Sequence, residues 1–154
     1  MTCYLVRHGT AAAGADDRAR PLTPQGRVEV EVTARALRAR GARVAEIRHS
    51  GLTRARETAE LLGRVLEPPR GVHAATGLAP EDDPDVARAE LELAAEPLMV
   101  VGHLPHLARL AAALVGAALA EPIHFAPGTA VALRRGSDGW APEAIVPSPA
   151  GGPS

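Results

Sequence analysis

The chain has 154 residues, of which 46% are hydrophobic and 23% are charged, as expected for one globular domain with a substantial core. Its net charge of −1 and its aromatic content of 2% argue against a surface that binds nucleic acid or an anionic membrane. All 17 basic residues are arginines, which excludes chemistry that needs a lysine nucleophile or a Schiff base.

No apolar run is long enough to span a bilayer, and the N-terminus has no basic stretch followed by an apolar one. Cys3 is the single cysteine, which rules out an internal disulfide and is typical of a reducing compartment. We therefore expect a cytoplasmic protein that is not associated with a membrane. Nothing in the sequence indicates an oligomeric state.

The first elements alternate between strand and helix, which predicts an α/β fold. A strand is expected at about Thr2 to Val6. Thr23 followed by Pro24 is typical of a helix start, and Gly41 provides a left-handed stop. Near-helical spacing of the apolar residues predicts that this helix buries a stripe of Val28, Val32, Ala36 and Leu37.

The alternation continues through the middle of the chain. "VAEIRHS" (44–50) predicts a second strand, and the helix after it places Leu52, Ala55, Ala59, Leu62 and Leu66 on one side. A weak strand is expected at 72–75, and Asp83 before Pro84 predicts a helix that runs toward Ala95. "PLMVVGH" (97–103) is typical of a fully buried strand, and a helix is expected from about Pro105 to Ala118.

The C-terminal part predicts a hairpin around Ser137-Asp138-Gly139, which would add antiparallel strands to one sheet edge. Residues 148–154 have little to bury, so we expect a domain over 1–147 followed by a disordered tail. The predicted fold is a three-layer α/β sandwich: a mostly parallel central sheet, helices on both faces and an antiparallel edge.

Three of the predicted strands end in residues that can bind an anion. The first ends in Arg7-His8-Gly9, the second leads to Ser50 and Arg54, and the buried "PLMVV" strand ends in Gly102-His103. Ligands of open α/β sheets bind at the carboxyl ends of the strands, so these side chains should converge. Arginine forks match phosphate oxygens, which predicts a phosphoryl site.

Four segments in this order, "LVRHG", "RPLTPQG", "SGLTRARETAE" and "VVGHLP", resemble the histidine phosphatase superfamily, also called the phosphoglycerate mutase-like fold. The short chain and its "RPLT" and "GHLP" segments are most similar to the small SixA-type branch, the phosphohistidine phosphatases. The resemblance runs from about Thr2 to Val115. It implies a phosphatase that uses no metal or other cofactor and forms a phosphohistidine on the enzyme.

The resemblance also implies roles for individual residues. His8 would be the nucleophile, with its second ring nitrogen donating to a backbone carbonyl. Arg7, Arg54 and His103 would bind the phosphoryl oxygens. Four further residues would bind substrate: Gly9 by letting the backbone approach the phosphate, Arg20 by reaching the phosphate or the substrate, Ser50 by capping the following helix, and Gly102.

Ordinary structural roles are the alternatives. Arg54 could be a helix-surface charge paired with Glu57 or Thr58, and Arg56 reads as a solvated charge. His49, His73, His106 and His124 are interpreted as structural or surface residues. The spacing of His103 and His106 would suit a metal, but two nearby arginines would repel a cation, so no metal site is expected.

A general acid is the part of the family pattern that the sequence leaves open. Glu81, Asp82 and Asp83 occupy the corresponding region, but "APEDDP" also reads as a helix cap and first turn. A site without an acid suits a phosphohistidine, which can leave as neutral imidazole. Short loops predict a shallow pocket that fits a phosphorylated protein. A phosphatase of a small phosphorylated metabolite and a non-catalytic phosphoryl-binding module are the alternatives.

Overall fold

The computed structural model describes residues 1–116 and 122–151. The strands are β1 (Thr2–Arg7), β2 (Glu46–His49), β3 (Val72–Ala74), β4 (Leu98–Gly102), β5 (Ala130–Gly136) and β6 (Gly139–Val146). The α-helices are α1 (Pro24–Ala39), α2 (Thr53–Leu66), α3 (Pro84–Leu93) and α4 (His106–Val115). Within these ranges, no helix is long and apolar enough to cross a membrane.

The strands form one mixed sheet in the order β3–β2–β4–β1–β5–β6. β3, β2, β4 and β1 run parallel to one another, and β4 lies between β2 and β1. β5 pairs antiparallel with β1, and β6 pairs antiparallel with β5. The predicted mostly parallel sheet with an antiparallel edge is confirmed.

Helices cover both faces of the sheet, as strand β1 shows. Successive side chains of a strand point to opposite faces. Tyr4 and Val6 pack in the core that includes residues of α1 and α2, whereas Cys3 and Leu5 pack in the core that includes residues of α3 and α4. The predicted three-layer arrangement is therefore also confirmed.

Helix α1 begins and ends as predicted. The Thr23 hydroxyl accepts a hydrogen bond from the Gly26 amide at 2.9 Å, and Pro24 occupies the first helical position. Beyond the last turn, Gly41 has a φ of +76°, which favours glycine.

The predicted buried stripe of α1 is wrong at Val28 and Val32, which are 50% and 42% exposed. Leu37 is buried as predicted and Ala36 is partly buried, and the helix also buries Gly26, Glu29, Val30, Thr33 and Ala34. Two of these are polar, and both are hydrogen-bonded: Glu29 to Thr10, and Thr33 to the carbonyl of Gly128. These hydrogen bonds compensate the cost of removing the polar groups from water. The helix can therefore bury the face with Glu29 and Thr33 and leave the two valines exposed.

The middle helices agree with their predicted positions. The predicted side of α2 is buried at Leu52, Ala55, Ala59 and Leu62, with Leu66 partly buried. The Asp83 carboxylate accepts from the Asp85 amide at 2.9 Å and caps α3. The predicted end of the last helix at Ala118 lies outside the described residues.

The C-terminal hairpin forms at the predicted turn, between β5 and β6. Beyond it, the Ser148 side chain is buried and its hydroxyl donates to the Pro127 carbonyl. Pro149–Gly151 form one short 3-10 turn. Ser148 is therefore packed against the domain, whereas Pro149 and Ala150 are exposed. The expected boundary after residue 147 stays a prediction, and 152–154 lie outside the described residues.

Candidate active site

The carboxyl ends of β2, β4 and β1 lie side by side. Arg7 is in register with Gly102, and His49 is in register with Val101. The residues that follow these strand ends, His8, Ser50 and His103, are therefore brought together from distant parts of the chain.

His8 is held in one orientation by two hydrogen bonds. Its Nδ1 lies 2.6 Å from the Gly9 carbonyl oxygen, and its backbone amide donates to the Gly102 carbonyl at 3.1 Å. A carbonyl oxygen only accepts, so Nδ1 carries the proton and Nε2 keeps its lone pair. Burial, followed by the charges of nearby arginines, lowers the pKa of His8 to about 4, although its contact with Gly9 opposes this shift. The ring is therefore neutral near pH 7 and has the tautomer that a nucleophilic Nε2 requires.

His103 is 2% exposed, and its Nε2 lies 2.6 Å from the Ser50 hydroxyl oxygen. Burial and then repulsion by His8 lower the pKa of His103 to about 3. The expected role of Ser50 as helix cap is wrong, since α2 has Leu52 at its N-cap position. Ser50 Oγ accepts from the Leu52 amide at 3.3 Å and fixes the ring of His103.

Arg7 and Arg54 are both anchored on backbone carbonyls. Arg7 Nη1 donates to Phe125 O at 2.8 Å, and Arg54 Nη1 donates to Asp17 O at 2.8 Å. Arg54 is 4% exposed, so it is not a solvated helix charge. The suggested partner Glu57 instead accepts from the Leu22 amide and from Arg27. Within the part of the chain that the structure describes, the Nε–H groups of Arg7 and Arg54 have no hydrogen-bond partner.

Arg7, His8, Arg54 and His103 line one cavity of about 320 Å³. It is lined by Arg7, His8, Thr10, Ala11, Arg20, Arg54, Pro80, His103, Leu104 and Pro127. Among the described residues, three buried nitrogens of its lining have neither a hydrogen-bond partner nor an ion pair: the Nε atoms of Arg7 and Arg54, and Nδ1 of His103. Arg20 also lines the cavity, but its Nε is paired with a carboxylate of Asp17 at 3.1 Å. Buried donors are normally paired, so unpaired donors around one cavity indicate a site for an anion with several acceptor oxygens.

The structure gives Gly9 a packing role, and its expected close approach to phosphate stays a prediction. Its amide donates to Thr58 Oγ1 at 3.1 Å. A Cβ at this position would lie 2.7 Å from Gly26 O and 2.9 Å from a methyl group of Val30. Gly9 is thus required for close packing of the β1–α1 loop on helix α1. Gly102 contributes the carbonyl that accepts from His8.

Three residues that support the site were missed from the sequence. Buried Glu29 accepts from the amide and the hydroxyl of Thr10, each at 2.9 Å, which fixes the loop after His8. Thr58 links the Gly9 amide to the carbonyl of Arg54. Asp17 contacts both Arg20 and Arg54. Glu29 and Thr58 could have been found from the sequence, because both lie at helix positions that face the core. A polar residue at such a position needs a hydrogen-bond partner.

The acidic segment 81–83 has structural contacts. Asp82 accepts from the Ala79 amide at 3.0 Å, Asp83 caps α3, and Glu81 lies 3.9 Å from Arg109. Only Pro80 of this loop lines the cavity. None of the three carboxylates is placed by these contacts to protonate a leaving group.

The remaining histidines do not line the cavity either. His49 Nδ1 accepts from the Gly51 amide, His73 lies on the exposed edge strand, His106 is fully buried, and His124 is exposed. Among the residues that the structure describes, no group of three or more histidine, cysteine or carboxylate side chains could hold a metal ion.

Known proteins with similar sequences or structures include members of one superfamily. The family model of the histidine phosphatase superfamily (branch 1) matches residues 3–78. An uncharacterised protein of Picosynechococcus is 34% identical over 144 residues, covering 89% of this chain and 87% of that protein. Phosphohistidine phosphatase SixA of Escherichia coli is 30% identical over 119 residues, covering 74% of each.

Among solved structures, the protein histidine phosphatase SixA complexed with tungstate superimposes with a TM-score of 0.86. It is 26% identical, and the match covers 96% of this chain and 97% of that one. These relatives and the fold agree with the resemblance seen in the motifs. The chain belongs to the histidine phosphatase superfamily, in its SixA-type branch, and is a phosphatase of the histidine-phosphatase type.

Proposed function

We propose that this chain hydrolyses phosphohistidine on proteins, without a metal, through a phosphohistidine formed on His8. The observation that carries the proposal is the set of nitrogens around the cavity that His8 lines: the unpaired Nε of Arg7 and of Arg54, the unpaired Nδ1 of His103, and the guanidinium of Arg20, all among the described residues. The set offers several donors to one tetrahedral anion and places a neutral imidazole beside it.

In the first step, the Nε2 lone pair of His8 attacks phosphorus, and the bond from phosphorus to the leaving group breaks. The His8 ring becomes positively charged, and its Nδ1–H bond to the Gly9 carbonyl strengthens as it does so. Arg7 and Arg54 neutralise the oxygens, where negative charge is concentrated in the transition state.

In the second step, water attacks the phosphorus of the phosphorylated His8 and the P–N bond breaks. His8 leaves as neutral imidazole with Nδ1 still protonated, and the water protons pass to orthophosphate and solvent. The low pKa of His8, about 4, makes it a good leaving group in this step. The enzyme is thereby returned to its starting state.

The lining of the cavity supports a phosphoramidate as substrate. No carboxylate lines it among the described residues, whereas an alkyl ester needs a proton on its departing oxygen. A phosphohistidine protonated on its far ring nitrogen leaves as neutral imidazole without help. The uncharged residues Ala11, Pro80, Leu104 and Pro127 in the lining suit a side chain presented by another protein. The relative from Escherichia coli bears the name phosphohistidine phosphatase.

The single cysteine of this chain, Cys3, is free and buried, and we place the activity in the cytoplasm.

The test is to incubate the protein with a phosphohistidine peptide labelled on phosphorus, quench it and locate the label. We expect label on His8 that is stable to alkali and lost in acid. His8→Ala should bind tungstate with little change and lose turnover by about 10⁴-fold or more. Turnover that survives in His8→Ala would overturn the nucleophile assignment, and loss of activity with a chelator would overturn the metal-free mechanism.

Substrate class is tested separately, by comparing kcat/KM for the phosphohistidine peptide and for an alkyl phosphomonoester. We expect the peptide to be the better substrate. Faster cleavage of the alkyl ester would favour a small phosphorylated metabolite, and binding of both without turnover would favour a phosphoryl-binding module.

A further inference from the structure

We propose that Asp17 is a positioning residue that holds Arg20 at the phosphoryl site by bridging it to Arg54. This inference rests on the proposed function, because it assigns a task to residues of the same cavity. Asp17 Oδ1 lies 3.1 Å from Arg20 Nε, and its Oδ2 lies 3.4 Å from Arg54 Nη2. One carboxylate therefore contacts both guanidinium groups.

The loop that carries Asp17 is folded by its own hydrogen bonds. The Ala12 amide donates to Pro21 O at 2.8 Å, and Ala11 forms a β-bridge with Leu22, which closes the base of the loop. At its tip, the Asp16 carboxylate accepts from the Arg18 amide and caps the short 3-10 turn over Asp17–Ala19. The Asp17 side chain is thus placed by the backbone, although it is 67% exposed.

Arg20 and Arg54 depend on Asp17 to different degrees. Arg54 is 4% exposed, and its Nη1 is held by the backbone carbonyl of residue 17, which any side chain there would retain. Arg20 has a half-buried side chain, and Asp17 is its ion-pair partner in the described structure. Without the carboxylate, repulsion by Arg54 and the gain of rotamer freedom both favour withdrawal of Arg20 from the cavity.

The opposite effect of Asp17 is also physically possible, because a carboxylate near an oxyanion repels it. Solvent screens that repulsion at a side chain that is two-thirds exposed. The loss of a positioned guanidinium acts directly at the anion and is screened less. Removal of Asp17 should therefore weaken oxyanion binding rather than strengthen it.

The experiment is a double-mutant cycle on tungstate binding, measured by calorimetry with the full chain. We expect Asp17→Ala and Arg20→Ala each to raise the dissociation constant of tungstate about tenfold, and the double variant to resemble Arg20→Ala alone. The melting temperature should stay within about 2 °C of the wild type, because Asp17 is exposed. Arg18→Ala, in the same turn, is the matched control and should bind as the wild type does.

Two results would overturn the inference. Tungstate binding that is unchanged or tighter in Asp17→Ala would mean that the carboxylate does not position Arg20. Effects that multiply in the double variant would mean that Asp17 acts independently of Arg20. Failure of the proposed function has a different signature, namely no tungstate binding by the wild type or no phosphorylation of His8.

Discussion

The imidazole ring of His8 lies against that of His103, with the ring centroids 4.9 Å apart and the planes tilted by 51°. Two protonated rings at this distance would repel each other, and burial disfavours each charge further. The pKa values of about 4 for His8 and about 3 for His103 follow from burial first and from neighbouring charges second. The neutral pair leaves the positive charge of the site on its arginines.

This pair predicts how stability depends on pH. The folded protein holds His8 neutral down to about pH 4, while an unfolded histidine takes up a proton near pH 6.5. The unfolded chain therefore binds more protons in this window, so the stability contributed above pH 6.5 is lost as the pH falls toward 4.

Urea unfolding at pH 7 and at pH 4.5 tests the effect. We expect the wild type to lose about 2 kcal/mol more than His8→Gln between these conditions, because the variant lacks one of the groups concerned. An equal loss in the two proteins would mean that His8 titrates normally in the folded state.

The contact between Ser50 and His103 predicts a catalytic effect at some distance from the nucleophile. In Ser50→Ala the His103 ring loses its partner at 2.6 Å, so we expect kcat/KM for the phosphohistidine peptide to fall about tenfold. Steady-state kinetics with Ser137→Ala as control, in the exposed turn of the hairpin, measures this. A kcat/KM equal to that of the wild type would show that His103 is oriented by other contacts.

Thr58 is predicted to act through the Gly9 backbone. Thr58→Val keeps the shape but removes the hydroxyl that accepts from the buried Gly9 amide at 3.1 Å. An unpaired buried amide costs about 1–3 kcal/mol, so the free energy of unfolding should fall by that amount, and kcat should fall as His8 shifts. Thr58→Ser keeps the hydroxyl and should lie close to the wild type in both measurements. If Thr58→Ser is impaired and Thr58→Val is not, the methyl group of Thr58 matters and the hydrogen bond does not.

Gly9 is predicted to be a packing residue. In Gly9→Ala the new methyl group would lie 2.7 Å from Gly26 O, on a helix backbone that cannot yield easily, so we expect a loss of about 1–3 kcal/mol in stability. Gly136→Ala is the matched control, since the nearest atom to its added Cβ is 3.8 Å away. Thermal melting of the two variants measures this loss. If Gly9→Ala is as stable as the control, Gly9 is not needed for packing, and its role would be only to let the backbone approach the phosphate.

The elements of the fold were predictable because their signals are local. Thr23, Pro24 and Gly41 mark the ends of α1 by their own hydrogen-bonding and backbone preferences. The buried face of α1 was not predictable in the same way, since Val28 and Val32 compete with a face that contains Glu29 and Thr33. Only partners distant in sequence, Thr10 and Gly128, make that polar face the buried one.

The site divides similarly. His8, Arg7, Arg54 and His103 were predicted because strands that end in charged or titratable residues meet at one sheet edge. Asp17 could not be identified, because an exposed acidic residue in a loop gives no sign of which arginines it will contact. Ser50 was expected at the site, but its partner was missed: a serine before a helix favours a cap, and its contact with His103 depends on the pairing of β2 with β4.

The end of β1 is closed by a segment more than a hundred positions away. The Arg7 amide donates to Thr129 O, the Gly128 amide donates to the carbonyls of Arg7 and His8, and the Arg7 side chain reaches Phe125 O. During synthesis, His8 emerges from the ribosome long before these partners exist. A fragment that stops before Phe125 would lack all of these partners, so we expect it not to assemble a working catalytic centre.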